Sequence, residues 1–117
     1  MDLQQLRERG GIVPSAPVRT EVSWTHPGDD GQDVTDTFTV YVVKHSFGTV
    51  ERLVLAERHD ADASNRALLI SQSIRLGEDG SESLSYEDAF QLEPRLARAL
   101  LDAIYAVNGL GAAGPKA

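Results

Sequence analysis

LSYEDAFQLEPRLARALLDAIYAVN, residues 84–108, carries two helix starts in succession and decides how the rest of the chain is read. Ser85 is placed to cap a first turn with Asp88 at the third helical position, so free N–H groups there find side-chain acceptors. The short helix it starts, Tyr86–Leu92, ends near Glu93, because a residue before proline avoids the α region. Pro94 then opens a second helix, where its missing N–H costs nothing. Leu96, Ala97, Leu100, Leu101, Ile104 and Val107 recur every three or four residues and form one apolar stripe over about four turns. Arg95, Arg98 and Asp102 fall off that stripe, and Asn108-Gly109 supplies a left-handed stop.

Upstream of this pair the pattern alternates between helix and extended signals. Gly77-Glu-Asp-Gly80 reads as a turn, and Ser81–Leu84 as a short extended piece. Before it, a helix over 63–76 opens at Asp60 or Asp62 and aligns Ala63, Ala67, Ile70 and Ile74. Ser46 caps a further helix, Phe47–Arg58, with Phe47, Val50, Leu53 and Val54 on one face. Val18–Thr25 alternates instead, with Val18, Thr20, Val22 and Trp24 on one side, which marks a half-buried strand. A long polar turn from His26 to Asp33 leads to a second strand, Thr37–Lys44, with Phe38, Val40 and Val42 on one face and Tyr41 and Val43 on the other. The two runs predict an antiparallel hairpin. Because a two-stranded hairpin is marginal alone and its second strand is apolar on both sides, each face requires cover, expected from packed helices or from a second copy of the chain that extends the hairpin. The expected fold is α+β, an N-terminal antiparallel β-hairpin followed by about four α-helices. Residues 1–17 are expected as a flexible arm, in which Leu3 and Leu6 share a short helical turn stopped by Gly10-Gly11. Residues 18–109 are expected as a single domain and 110–117 as a flexible tail.

A chain of 117 residues is long enough to bury one core without disulfides or a structural metal. It has no cysteine, which removes thiolate metal sites and disulfide frameworks. The formal net charge of -7 disfavours a general binder of nucleic acid or anionic membrane, which needs a basic face. With no secretory leader pattern and no apolar run near membrane-spanning length, a cytoplasmic location is expected.

Chemical motifs are sparse. Gly109, Gly111 and Gly114 share the spacing of a dinucleotide-binding fingerprint, but that chemistry needs a strand before and a helix after, and a helix precedes here. Asp29, Asp30, Asp33 and Asp36 cluster in the hairpin loop without the glycine and terminal bidentate acid of a calcium loop. His26, His45 and His59 lack a second ligand at helical spacing, and His45 and His59 read as surface or cap residues. No nucleophile elbow is present. No catalytic residue, cofactor or metal is therefore expected, and the chain does not read as an enzyme. The sharper signal is Glu78, Asp79, Glu82, Glu87, Asp88 and Glu93, a run with no intervening Lys or Arg, which reads as an electrostatic docking surface for a basic partner segment or a second copy.

YVVKHSFGTVERL (41–53) and RALLISQSIRLGEDGSESLSYEDAFQLEPRLARALLDAIYAVNG (66–109) together resemble the tail assembly chaperones of long-tailed bacteriophages and prophages. The likeness spans roughly residues 34–109 and rests on packing and capping positions rather than catalytic ones. It implies a non-enzymatic protein of the bacterial host cytoplasm that binds the tape measure protein and helps recruit major tail protein subunits. It also implies self-association and absence from the finished virion. The alternatives are a small structural tail component of the completion or terminator type, or a generic helical adaptor domain.

Overall fold

The computed structural model describes residues 1–13, 16–55 and 64–110. The alternating runs pair as expected and reach further than their apolar cores. Strand β1, Val18–Pro27, lies antiparallel to β2, Asp33–Val42, in continuous register from Val18 opposite Val42 to Pro27 opposite Asp33. The five residues between them close the turn with Gly28 N–H donating to Gln32 O at 2.7 Å.

The hairpin is one half of a larger sheet, which corrects the expected plan of a hairpin followed by about four helices. Four antiparallel strands run in the order β1-β2-β3-β4. Strand β3, Ile74–Leu76, and β4, Glu82–Ser83, are inserted between helices. Among the described residues there are five α-helices, some only a turn or so long. These are α1, Leu3–Glu8; α2, Phe47–Val50, which continues as a π turn over Glu51–Leu55; α3, Asn65–Ser73; α4, Tyr86–Phe90; and α5, Pro94–Val107.

The helix expected over 63–76 stops short because its last residues have a better partner. Ile74 turns to extended backbone (ψ 131) while its N–H still donates to Ile70 O. Ile74 then pairs opposite Val42 and Arg75 opposite Tyr41. Ile74 is β-branched and completely buried in this position, and a third strand stabilises a hairpin that would be marginal by itself. Ser64 caps α3 through a bond from Ala67 N–H at 3.0 Å. The cap expected at Asp60 or Asp62, together with His59 and the end of the 47–58 helix, lies outside the described residues, as does 111–117.

The opening stretch folds as read. Ser85 accepts from Asp88 N–H, Gly109 takes the left-handed φ of 69°, and α5 buries Leu100, Leu101 and Ile104. Helix α5 crosses the hairpin on the face of Val22, Val40 and Val42, all buried, and α3 and α4 complete the core with Leu69, Ile70 and Ala89. Phe47, expected on a packed face, is instead 77% exposed, whereas Leu53 is buried.

Among the described residues the opposite sheet face receives no second helical layer. Ser23 and Thr37 join hydroxyls at 3.0 Å, and Thr25 and Thr35 at 2.8 Å, on an exposed surface. Tyr41 lies on that face, and the β3–β4 turn covers it. The Tyr41 hydroxyl donates to Glu78 O at 2.7 Å. Gly80 holds φ at 75°, and a Cβ on it would lie 2.9 Å from the Tyr41 ring, so glycine is required both for conformation and for the close approach.

Candidate partner-binding surfaces

Helices α3, α4 and α5 leave a groove of about 320 Å³ between them. Its floor is apolar, with Ala67 and Ile70 from α3, Ala89 from α4, and Ala97 and Leu101 from α5. Small residues at 67, 89 and 97 keep the floor recessed. Arg66 and Arg98 stand at the rim, cationic points on an otherwise acidic chain. Phe90 lines the groove while 53% exposed, and it also borders a second recess with Tyr86, Glu87 and Gln91. A ring left in water at the lip of an apolar groove is a feature of protein-binding surfaces.

The six acidic residues expected to form one docking surface occupy three settings. Glu78, Asp79 and Glu82 sit on or beside the β3–β4 turn and are exposed. Asp79 also shapes that turn, accepting from Ser81 N–H at 3.1 Å, and its hydrogen bonds to Ser81 hold its carboxyl below the usual range. Glu87 and Asp88 occupy the first turn of α4, exposed and complementary to its dipole. Glu93 has a structural position instead. Its carboxylate caps α5 by accepting from Arg95 N–H and Leu96 N–H, and it also accepts the Trp24 indole N–H at 2.8 Å. These bonds, the indole's foremost, pull its pKa down.

Sequence reading missed the polar chain that this contact begins. The Trp24 ring stacks on His26 with centroids 3.9 Å apart, and His26 Nε2 meets Asp36 Oδ2 at 2.6 Å. Arg95 reaches both Glu93 and Asp33. Asp30 accepts from Gln32 N–H within the turn, so three of the four loop aspartates weighed as calcium ligands have protein partners. Trp24, His26 and Asp36 share one face of the two paired strands, while Asp33 starts β2 opposite Pro27. That spacing hinted at one face, but nothing local placed Glu93 and Arg95 above it.

His45, expected at the surface, is half-buried, with Nε2 2.6 Å from the hydroxyl of fully buried Ser73. Burial, and then the nearby Arg75 charge, push its pKa down. The pair resembles a nucleophile and base, but a hydroxyl with no exposed surface offers no approach to a substrate. Asn108 completes the lock: its side chain accepts from His45 N–H at 2.7 Å and donates to Val43 O and Ile104 O. The end of β2, the core of α3 and the end of α5 meet there.

These locking positions fall within the segments that carried the family likeness. The profile of the family described as "Phage tail assembly chaperone, TAC" matches residues 4–108. The chain belongs to that family. Comparison with curated proteins and with solved structures gives no match. In this TAC-family chain the match runs from α1 to the Asn108 lock, so it takes in the sheet, the groove and all six acidic positions. Among the described residues no helix is long and apolar enough to cross a membrane.

Proposed function

We propose that this chain is a non-catalytic chaperone that binds the tape measure protein of its phage in the host cytoplasm. In this reading it keeps that long helical client soluble, helps recruit major tail protein subunits, works as a self-associated assembly and is absent from the finished virion. The observation that carries the client-binding part is the α3–α4–α5 groove. An unassembled helical client exposes apolar faces, and a recessed apolar floor with charged residues at the rim accepts such a face while setting its register. The exposed acids Glu78, Asp79, Glu82, Glu87 and Asp88 supply a second, electrostatic surface for basic segments of client or tube subunit.

Co-expression tests this directly. The wild-type chain should keep the tape measure protein soluble, and Phe90→Asp or Ala97→Arg, both at the groove, should reduce the soluble fraction while leaving the chain folded. Full solubilisation by both variants would remove the groove from the reading. Abundant chain in purified virions would assign it instead to the structural components of the tail.

A further inference from the structure

Strand β1 is the end of the sheet, and its outer edge has no partner among the described residues. The ladder geometry shows which groups that edge presents. Gly28 N–H bonds Gln32 O at the hairpin end, and Val43 N–H bonds Ser73 O on the far side of β2. Hydrogen-bonded and non-bonded pairs alternate along an antiparallel ladder. Both bonds therefore assign the same phase. Val18, Thr20, Val22, Trp24 and His26 turn their backbone groups to β2, and Arg19, Glu21, Ser23 and Thr25 turn theirs outward. Pro27 falls on the outward set, where its missing N–H costs no ladder bond.

The side chains on this edge are self-complementary. Arg19 and Glu21 are both exposed, lie two residues apart on the same face, and form no ion pair within the chain among the described residues. Charges on an edge strand usually blunt it against pairing, but opposite charges at i and i+2 fit an inverted copy of themselves. On the other face Val18 remains 37% exposed, four residues along the strand from buried Val22.

We infer that two copies of this chain pair along β1, antiparallel, about a two-fold axis at Thr20. This register sets Arg19 opposite Glu21 of the second copy, and Glu21 opposite its Arg19. Both positions carry outward backbone groups, so each pair exchanges two N–H···O bonds as well as joining charges. On the core face Val18 comes opposite Val22 of the second copy and gains cover. An axis at Glu21 would instead oppose two carboxylates. An axis at Val22 would set both charges opposite hydroxyls. The two-fold contact is isologous and closes at two copies, joining their four-stranded sheets into one. The proposal names a surface for the self-association in the reading above and rests on that part alone, independent of the client groove.

Light scattering and sedimentation of the full chain over a concentration series provide the test. The wild type should associate, and Arg19→Glu and Glu21→Arg should each weaken association about tenfold or more, because each sets like charges opposite one another twice. The double variant R19E/E21R should restore it, which loss of folding would not allow; circular dichroism checks that all four proteins are folded. Amide exchange at Arg19 and Glu21 should be slow in the wild type and fast in the single variants. A wild type that stays monomeric at its highest soluble concentration overturns both this contact and the self-association reading. An assembly indifferent to the single variants, or not rescued in the double, overturns the β1 contact and its register while leaving self-association standing.

Discussion

The Trp24 indole donates to a carboxylate 69 residues away, Glu93 Oε1, at 2.8 Å. This bond ties the middle of an edge strand to the N-cap of α5. Glu93 is held there by local work as well, since the same oxygen accepts from Arg95 N–H and Leu96 N–H. One side chain therefore starts α5 and orients it on the sheet.

Replacing Glu93 should cost more than replacing any neighbouring acid. Glu93→Ala removes the helix cap and leaves the indole N–H without its acceptor, so the thermal midpoint should fall clearly below that of Glu82→Ala, whose exposed carboxylate has no such duties. Glu93→Gln keeps an acceptor and should fall between them. Equal midpoints for all three would show that the contact contributes nothing.

The pH response of this cluster has a definite sign. The hydrogen bond that His26 donates to the Asp36 carboxylate raises His26 above its ordinary value of 6.5, so the stabilisation it supplies is complete below that value and is lost as pH rises through the folded pKa. Glu93 is lowered, so its contribution is present above the ordinary carboxylate pKa and is lost as pH falls through the folded one. The hairpin should hold α5 best at weakly acidic pH. Trp24 is the single tryptophan and stacks on His26, so its fluorescence should titrate with a midpoint above 6.5, and Asp36→Asn should bring that midpoint down. A wild-type midpoint at or below 6.5 would contradict the assignment.

Leu100 is 3% exposed in the middle of the α5 stripe. Leu100→Ala should lower stability by about 2–5 kcal/mol in urea titrations, and Leu100→Asp should abolish cooperative unfolding, because a carboxylate placed there has no partner. A soluble, cooperatively folded Leu100→Asp protein would mean that the stripe is not the core.

Two glycines should respond in opposite directions. Gly80→Ala forces a side chain into positive φ and against the Tyr41 ring, at a cost of about 1–3 kcal/mol. Gly48 lies in α2 with open space where a Cβ would go, so Gly48→Ala should stabilise by about 0.5–1 kcal/mol. Urea midpoints of the two variants give the comparison, and a shift of the same sign in both would contradict it.

What the sequence determined by itself was local. Ser46, Ser85 and Pro94 start helices because a cap or an N1 proline acts within a few residues of its own position. The stripe from Leu96 to Val107 and the alternation of Val18–Trp24 are likewise periodic signals within one element. Tertiary structure decided the rest. Ile74 continues a helical pattern in sequence, yet it is a strand residue because Val42 waits to pair with it. Phe47 looks like a core residue and is 77% exposed, since no element among the described residues covers its side of α2. Glu93 belongs to an acidic run until the fold sets Trp24 beside it and makes it a clamp. Arg19 and Glu21 look like ordinary surface charges until the sheet order leaves β1 at the edge. For Ile74 and Glu93 the deciding partner lies dozens of residues away in the sequence, where propensity and periodicity carry no information.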